Sequence, residues 1–508
     1  MIAALMGAGL AEGGLATLLA APTLSYAAGT AALCLMVGAG ALIIGAGAAL
    51  AVCLTEFPGR RLVAILLALP FAIPAYVIAY AYGDILSPLG PVASVIGPER
   101  LPEIRSLPGA ALVLTLATYP YVYLAVAASL ASRSGALMEA ARTLGARPLA
   151  AALSVLLPAS RPAIAGGLAL ALMETAGDYG VADYFGARTL SVGIFRTWFG
   201  LGDLGAATQI AAILFFAALI FVVMEEAGRR GQSADSAFAR KAHARIRLKP
   251  GAAGITLLLL SVPIMLGFAL PAATLAGLMD PQLSPGAARG LTDAFTNTAL
   301  VAAIGAALAA SLALILGFSG RRARGRAMQF ALRIATLGYA VPGAVSAIGV
   351  VALAAPVSGF LGAGAAGGLA ILIYAYVARF LTVSYNGVAG GLAQVSPQMD
   401  AAAQMLGAGP ARIIGKIQWP LARRASLAAA AIVAIDIAKE LPATLLLRPF
   451  NYETLATRVY RLASDERLAD AAPAALLLIA FGLIPVILVA GGLFGRSKRD
   501  QRAAARSS

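Results

Sequence analysis

Long apolar stretches separated by short polar segments run along the whole chain. Residues 27–54 contain no charged side chain, and this stretch exceeds the roughly 20 apolar residues that span a bilayer core. Reading each apolar stretch between charged residues predicts eleven membrane spans, at 27–54, 62–83, 108–130, 161–177, 207–224, 252–270, 294–318, 329–353, 364–386, 425–440 and 474–494. Pro74 and Pro342 are expected to kink two of them.

The N-terminal residues 1–20 are also apolar, but Glu12 and four glycines interrupt them. Three interpretations stay open for this segment: a twelfth span, an interfacial segment or a signal-like stretch.

The basic residues indicate which loops face the cytoplasm. Of the 38 Lys and Arg residues, 27 lie in one alternating set of segments, namely 55–61, 131–161, 225–250, 319–333, 387–424 and 495–508. Because cytoplasmic loops are enriched in Lys and Arg, this set and the C-terminus are predicted to be cytoplasmic. Composition agrees with a membrane protein: 60% of residues are hydrophobic and 12% charged, against about 25% charged in soluble domains.

Several classes of protein are excluded by the same composition. The net charge of +15 is spread over short loops and the tail, so it does not form the continuous patch that binds nucleic acid. His243 is the single histidine, and Cys34 and Cys53 lack metal-binding or redox spacing, so no metal site and no catalytic residue are assigned. The sequence around Gly415-Lys416 does not fit the phosphate-binding pattern of ATPases.

The two halves of the chain resemble each other. Gly145 and Gly407 are 262 positions apart, as are Glu174 and Asp436, and a constant offset of this kind indicates internal duplication. We therefore predict a first repeat at 1–224, a basic cytoplasmic linker at 225–250, a second repeat at 251–495 and a basic cytoplasmic tail at 496–508. Six predicted spans separate the two glycines, so the repeats are parallel. The predicted fold is an all-α polytopic membrane protein of two parallel homologous helical bundles with 11–12 transmembrane helices.

One predicted cytoplasmic loop occurs in both repeats, and in each copy short helices are expected around a turn glycine. The first loop (residues 138–158) contains Glu139, Ala140, Ala141, Gly145, Leu157 and Pro158. The second loop (residues 400–420) contains Asp400, Ala402, Ala403, Gly407, Ile417 and Pro420.

These loops resemble the "EAA" loops of ATP-binding-cassette (ABC) importer permeases, whose pattern is E-A-A, three residues, G, nine residues, I, one residue, L-P. The first loop departs from it only at Val155. In the second loop Ala401 replaces the Glu, with Asp400 one position earlier, and Trp419 replaces the Leu. The resemblance implies that both loops dock onto a cytoplasmic dimer of ABC ATPase subunits, so that this chain binds no cofactor, is not itself an enzyme, and uses ATP hydrolysed by its partner.

A wider resemblance over about residues 27–494 is to the fused ferric-iron permeases of this family. It rests on stretches such as 57–61, 69–77, 189–202 and 438–449. It implies a bacterial inner-membrane location, a periplasmic or extracellular solute-binding protein that carries ferric iron, and transport of that ion.

Ionisable residues near the ends of two predicted spans are candidates for the translocation path, because charges at membrane depth usually face a bundle interior. They are Glu174, Asp178 and Tyr179 in the first half and Asp436, Lys439 and Glu440 in the second. Carboxylate and phenolate oxygens suit a hard cation such as Fe³⁺. The alternatives are that these residues mark the membrane interface or form structural ion pairs.

Two other functions stay open at this point. A similar fused permease could carry thiamine or another small organic solute. In a different class, an ion-driven secondary transporter would use the membrane carboxylates as relays and would need no ATPase.

Overall fold

The computed structural model of the protein describes residues 21–146, 148–233, 245–280, 284–322, 341–354, 365–393 and 395–494, together with positions 325, 332 and 338. Nearly all of these residues are helical. Up to residue 233 the elements are α1 (Ala21–Leu54), β1 (Thr55–Glu56), α2 (Arg60–Leu66), α3 (Ala75–Ile85), α4 (Pro91–Ile96), α5 (Leu107–Thr143), α6 (Pro148–Ala151), α7 (Leu157–Ala159), α8 (Arg161–Gly177), α9 (Gly180–Tyr184), α10 (Leu190–Phe195) and α11 (Leu204–Ser233).

The second part of the chain repeats this succession of long and short helices. Its elements are β2 (Ile246–Arg247), α12 (Pro250–Ile264), α13 (Leu270–Leu278), α14 (Pro285–Arg322), α15 (Gly343–Ala354), α16 (Ala365–Leu392), α17 (Pro397–Met405), α18 (Pro410–Ile413), α19 (Trp419–Ala438), α20 (Pro442–Leu447), α21 (Leu455–Ser464) and α22 (Leu468–Phe494). Short 3₁₀ helices occupy Leu69–Ala72 and Pro98–Arg100, and π-helical segments occupy Ala152–Leu156, Arg196–Gly200, Met265–Ala269 and Ile414–Gln418. The strands β1 and β2 form one parallel pair, with Thr55 opposite Ile246.

Seven helices in the described residues are long and apolar enough to cross a membrane, namely α1, α5, α11, α12 with α13, α14, α16 and α22. Their side chains agree with a lipid environment, since Leu35 and Ile43 on α1 are 74% and 73% exposed. Each of the seven corresponds to a predicted span.

The predicted span at 62–83 consists of two apolar helices separated by a sharp bend. The chain bends by 91° between Arg60–Ala72 and Ala75–Ile85. The cause lies in two prolines: Pro70 is the second residue of the 3₁₀ helix, and Ile73, just before Pro74, is extended with ψ 125°, as the ring of a following proline requires. The predicted kink at Pro74 is therefore confirmed.

Three further predicted spans are shorter or more polar than a simple membrane helix. Helix α8 has 17 residues, fewer than the roughly 20 that span a bilayer core. Helix α19 carries Arg423 and Arg424 in its first turns. Of the predicted span at 329–353, the structure describes mainly the 12 residues of α15, which starts just after Pro342. The open segment 1–20 lies outside the described residues.

Close packing between long helices depends on small residues. A Cβ added at Gly167 on α8 would lie 2.9 Å from the carbonyl oxygen of Tyr121 on α5. In the second repeat, a Cβ at Gly391 on α16 would lie 3.1 Å from Cα of Ala422 on α19. Both helix pairs thus approach at backbone distance, as is typical of membrane helices.

The chain forms two compact units, and neither is one continuous half of the sequence. One unit contains Gly193–Ala218 and Asp280–Asp465, with the first residues of α1. The other contains Leu24–Val192, Leu219–Met279 and the chain from Glu466 onward. Helices α12, α13 and α22, which follow the predicted linker in sequence, therefore belong to the unit built mainly from the first half. The predicted repeats are defined by similarity between the two halves of the sequence, and the compact units are defined by contacts in the structure. The repeat boundaries therefore stay a prediction.

Candidate functional site

The first loop (residues 138–158) is a helix–turn–helix around a left-handed glycine. Gly145 has φ +82°, and the amide of Ala146 donates to the carbonyl of Ala141 at 3.0 Å. This is the hydrogen bond of a glycine C-cap, which closes helix α5 and reverses the chain. Glu139 and Ala140 lie on α5, with side chains outside the described set. Leu157 and Pro158 form the start of α7.

The second loop (residues 400–420) has the same turn. Gly407 has φ +74°, and the amide of Ala408 donates to the carbonyl of Ala403 at 2.9 Å. One difference lies upstream: α5 continues unbroken into the first loop, whereas the second begins with a separate helix, α17. The hydroxyl of Ser396 caps α17 by accepting from the amide of Met399 at 3.3 Å.

The duplication extends to irregular features that composition alone does not produce. The π-helical segments Ala152–Leu156 and Ile414–Gln418 are 262 positions apart, the same offset as the two turn glycines. A second shared feature joins distant helices within each repeat. The amide of Leu190 donates to the hydroxyl of Thr30 at 2.8 Å, and the amide of Leu455 donates to the hydroxyl of Thr298 at 2.8 Å. Each unit therefore carries its own copy of the same local structure.

Both loops present apolar side chains to solvent at the turn. Leu144 is 88% exposed, and Met405 and Leu406 are 89% and 87% exposed. Large apolar side chains at the tip of an ordered turn are typical of a protein-docking surface.

The predicted membrane carboxylates have structural partners. Asp178 accepts hydrogen bonds from the amides of Val181 and Ala182, at 2.9 and 3.2 Å. Glu440 accepts from the amides of Ala443 and Thr444, at 3.1 and 3.0 Å. The two residues are equivalent in the repeats, and each caps the short helix that follows it, α9 or α20.

The second-half carboxylates also form ion pairs. Glu440 accepts from Arg379 at 2.7 Å, with the two side chains 3% and 14% exposed. Lys439 lies 2.9 Å from Asp436. At the equivalent positions of the first half the sequence has Ala117 and Gly177, so these two cations have no counterpart there. The interpretation of structural ion pairs therefore applies to the second half.

In the first half, the hydroxyl of Tyr121 donates to Glu174 at 3.4 Å, and Tyr179 is buried at the start of α9. In the described residues, no group of three or more His, Cys, Asp or Glu side chains is arranged to hold a metal. A role of these acids in the translocation path stays a prediction.

Sequence reasoning did not assign roles to Arg321, Arg379 and Gln418. The sequence does indicate a role for Arg379, because an arginine inside a predicted span requires a compensating partner. No sequence pattern indicates a role for Gln418. Arg321 and Gln418 both contact Asp400, whose carboxylate thereby connects the second loop to α14.

Comparison with known proteins gives a consistent picture. Residues 41–224 match the family "Binding-protein-dependent transport system inner membrane component". The "Fe(3+)-transport system permease protein FbpB 2" of Haemophilus influenzae is 26% identical over 89% of this chain and 86% of its own length.

Other relatives match a smaller part. The "Sulfate transport system permease protein CysT" of Salmonella typhimurium is 28% identical over 33% of this chain and 62% of its own length. The "Putative 2-aminoethylphosphonate transport system permease protein PhnU" of Salmonella choleraesuis is 29% identical over 34% of this chain and 64% of its own. The chain is thus similar to permeases of several transport systems.

Proposed function

This chain is a multi-span permease of the ABC importer type, and from that premise we propose that it carries ferric iron across the membrane. One observation carries the choice of iron: the likeness to the Fe(3+) permease extends over 89% of this chain and 86% of the relative. It therefore includes both repeats, whereas the sulfate and phosphonate permeases match about a third of the chain.

The proposed mechanism uses the two loops as rigid connections to a cytoplasmic ATPase dimer. Each loop has a left-handed glycine turn and an exposed apolar tip at Leu144 or Leu406. When the ATPase subunits close, a rigid loop transmits their displacement to the membrane helices, and the permease changes between outward- and inward-facing states. ATP hydrolysis belongs to the partner, and a solute-binding protein delivers the ion.

Asp178 is the better candidate for transient contact with Fe³⁺. Glu440 and Asp436 are neutralised by Arg379 and Lys439. Asp178 instead accepts two backbone hydrogen bonds, and no cationic side chain within ion-pair distance of it is found in the described part of the chain. Its oxygen ligands suit a hard cation.

An oxyanion is the second candidate cargo, because permeases for sulfate and 2-aminoethylphosphonate also match this chain. Thiamine or another small organic solute is a further alternative. Uptake of radiolabelled Fe³⁺, sulfate, 2-aminoethylphosphonate and thiamine should be compared in cells that express the chain with its partner subunits and in cells that lack the chain. We expect chain-dependent uptake of Fe³⁺. Chain-dependent uptake of another solute without Fe³⁺ would reject iron and leave the permease assignment intact.

The ABC mechanism is tested by capture of the ATPase subunit. We expect the membrane-embedded chain to capture it, and the double variant Gly145→Asp with Gly407→Asp to lose it, because each substitution places a charge beside the exposed apolar side chain of Leu144 or Leu406 and adds a Cβ at positive φ. Transport that persists without any ATPase would instead support an ion-driven secondary transporter.

A further inference from the structure

The end of α14 is connected to the second loop through Arg321. Its Nη2 donates to Oδ2 of Asp400 at 2.8 Å and to the carbonyl of Val395 at 3.0 Å. Its Nη1 donates to the carbonyl of Leu392, the last residue of α16, at 3.0 Å. One guanidinium therefore holds the end of α16, the connection to α17, and α17 itself.

Asp400 extends this network to the far side of the turn. The amide nitrogen Nε2 of Gln418 lies 3.2 Å from Oδ1 and 3.1 Å from Oδ2 of Asp400. Gln418 is 4% exposed and ends the π-helical segment that leads into α19. The three side chains, Arg321, Asp400 and Gln418, are called the polar clamp below. It joins α14 to both arms of the second loop.

The first loop has a different attachment. Arg60, the repeat equivalent of Arg321, donates to the carbonyl of Val52 at 3.0 Å and pairs with Glu56 at 3.3 Å. Met138 and Leu156 stand at the positions of Asp400 and Gln418. Leu156 is 1% exposed and belongs to an apolar cluster with Ala141 and Ala151.

The two loops thus have the same turn but different anchors. An apolar cluster is non-directional and allows small sliding movements, because its stabilisation depends on buried area. A charge-assisted hydrogen-bond network fixes both distance and orientation.

We propose that the polar clamp positions the second loop, so that this loop and α14 move as one rigid body. Asp400 and Arg321 are positioning residues for coupling, and Asp400 and Gln418 stand where the first repeat has the apolar residues Met138 and Leu156. This inference rests on the proposed function, because the movement it transmits is that of the ATPase. The carboxylate of Asp400 accepts from Arg321 on the chain's own α14.

The size of the effect follows from the burial of the network. The side chains of Arg321 and Asp400 are 22% and 18% exposed, so water screens the pair only in part. Loss of one charge in such a network is expected to increase local opening about tenfold.

Hydrogen exchange of the full chain in lipid nanodiscs, without any partner, tests the clamp. Asp400→Asn should increase amide exchange of residues 397–418 about tenfold and leave residues 141–158 of the first loop unchanged. Asp400→Glu, which keeps the charge, should restore exchange close to wild type. Asp465→Asn removes an exposed carboxylate at the end of α21 and is the matched control, with no change expected.

Three outcomes would overturn the proposal: unchanged exchange in Asp400→Asn, equal exchange in the Asn and Glu variants, or an increase that extends to the first loop. A second variant, Gln418→Leu, restores the residue of the first repeat and should increase exchange only in residues 410–418; no change there would also contradict the clamp. Because the ATPase is absent, this result is independent of the capture experiment. Capture can fail while the clamp stands, and the clamp can fail while capture succeeds.

Discussion

At the scale of single residues, the turn glycines offer the sharpest comparison. Gly407 has φ +74°, whereas Gly415 in the same loop lies in the π-helical segment Ile414–Gln418 without a positive φ, and a Cβ at either position meets no neighbour within 4 Å. Only backbone conformation therefore separates the two sites. An L-residue with left-handed backbone costs about 1–2 kcal/mol, and alanine is favourable in a helix.

We predict that Gly407→Ala reduces the affinity for the ATPase subunit several-fold, while Gly415→Ala leaves it unchanged. Titration of the ATPase onto the chain in nanodiscs measures both. Equal losses in the two variants would show that surface shape, and not the turn, determines docking.

Glu453 provides a pH-dependent contact outside the membrane spans. Its Oε1 accepts from Nε of Arg461 at 2.7 Å, and its Oε2 from Nη1 of Arg458 at 3.2 Å. Burial alone would raise the pKa of Glu453, but the hydrogen bonds and charges of Arg461 and Arg458 outweigh burial and lower this pKa from its ordinary value of 4.5. A lowered pKa in the folded state means that the contribution to stability is complete above the ordinary value and is lost as pH falls through the lowered one.

The melting temperature of wild type should therefore exceed that of Glu453→Gln at neutral pH, and the difference should shrink as pH falls below about 4.5. Thermal unfolding of both proteins across this range is the measurement. A difference that stays constant with pH would exclude ionised Glu453 as its source.

Sequence reasoning was accurate for residues whose role depends on their own backbone. Gly145 and Gly407 were predicted as turn residues because glycine readily adopts positive φ. The role of Arg321 could not be predicted in this way, because its partners Leu392, Val395 and Asp400 lie 71 or more positions away along the chain. Spacing in sequence carries no information about that proximity.

At the scale of elements, the equivalent helix caps Asp178 and Glu440 differ in charge balance. Both accept two backbone hydrogen bonds, but Glu440 also pairs with Arg379 at 2.7 Å in a buried site. Neutralising Glu440 leaves the arginine charge without its carboxylate, which costs about 3–5 kcal/mol for a buried pair. Neutralising Asp178 keeps an amide oxygen that can still accept from α9, so the cost is about 1 kcal/mol or less.

We accordingly predict that Glu440→Gln lowers the melting temperature in nanodiscs much more than Asp178→Asn does. Glu440→Asp, which keeps the charge, should recover part of the loss. Equal effects of Glu440→Gln and Asp178→Asn would mean that capping, and not the ion pair, accounts for the stability.

Apolar stretches predicted most long helices, because a membrane span must be apolar over its full length. They did not predict the 91° bend between α2 and α3 as a break of the span. A hydropathy pattern does not show where a helix bends, and in this segment only Pro70 and Pro74 indicate the position of the bend. The break between α16 and α17 likewise depends on Ser396 as a cap, which a hydropathy pattern does not detect.

At the scale of the whole molecule, the sequence indicated the duplication but not the two compact units. Helices α12, α13 and α22 belong to the unit that holds most of the first half. Their apolar sequences could not reveal this, because lipid and protein neighbours are equally apolar and helix association depends on local fit.

The central claim is that both loops face the cytoplasm and engage one ATPase dimer. Site-directed labelling tests it directly. Cys34 and Cys53 are first replaced by alanine, and single cysteines are then introduced at Leu144, Leu406 and Leu89, which are 88%, 87% and 99% exposed. A membrane-impermeant maleimide is applied to inside-out and right-side-out vesicles.

We predict that the cysteines at positions 144 and 406 react only in inside-out vesicles, and that the cysteine at position 89, in a predicted external loop, reacts only in right-side-out vesicles. Labelling of positions 144 and 406 from opposite sides of the membrane would contradict the account, because no single ATPase dimer could then bind both loops.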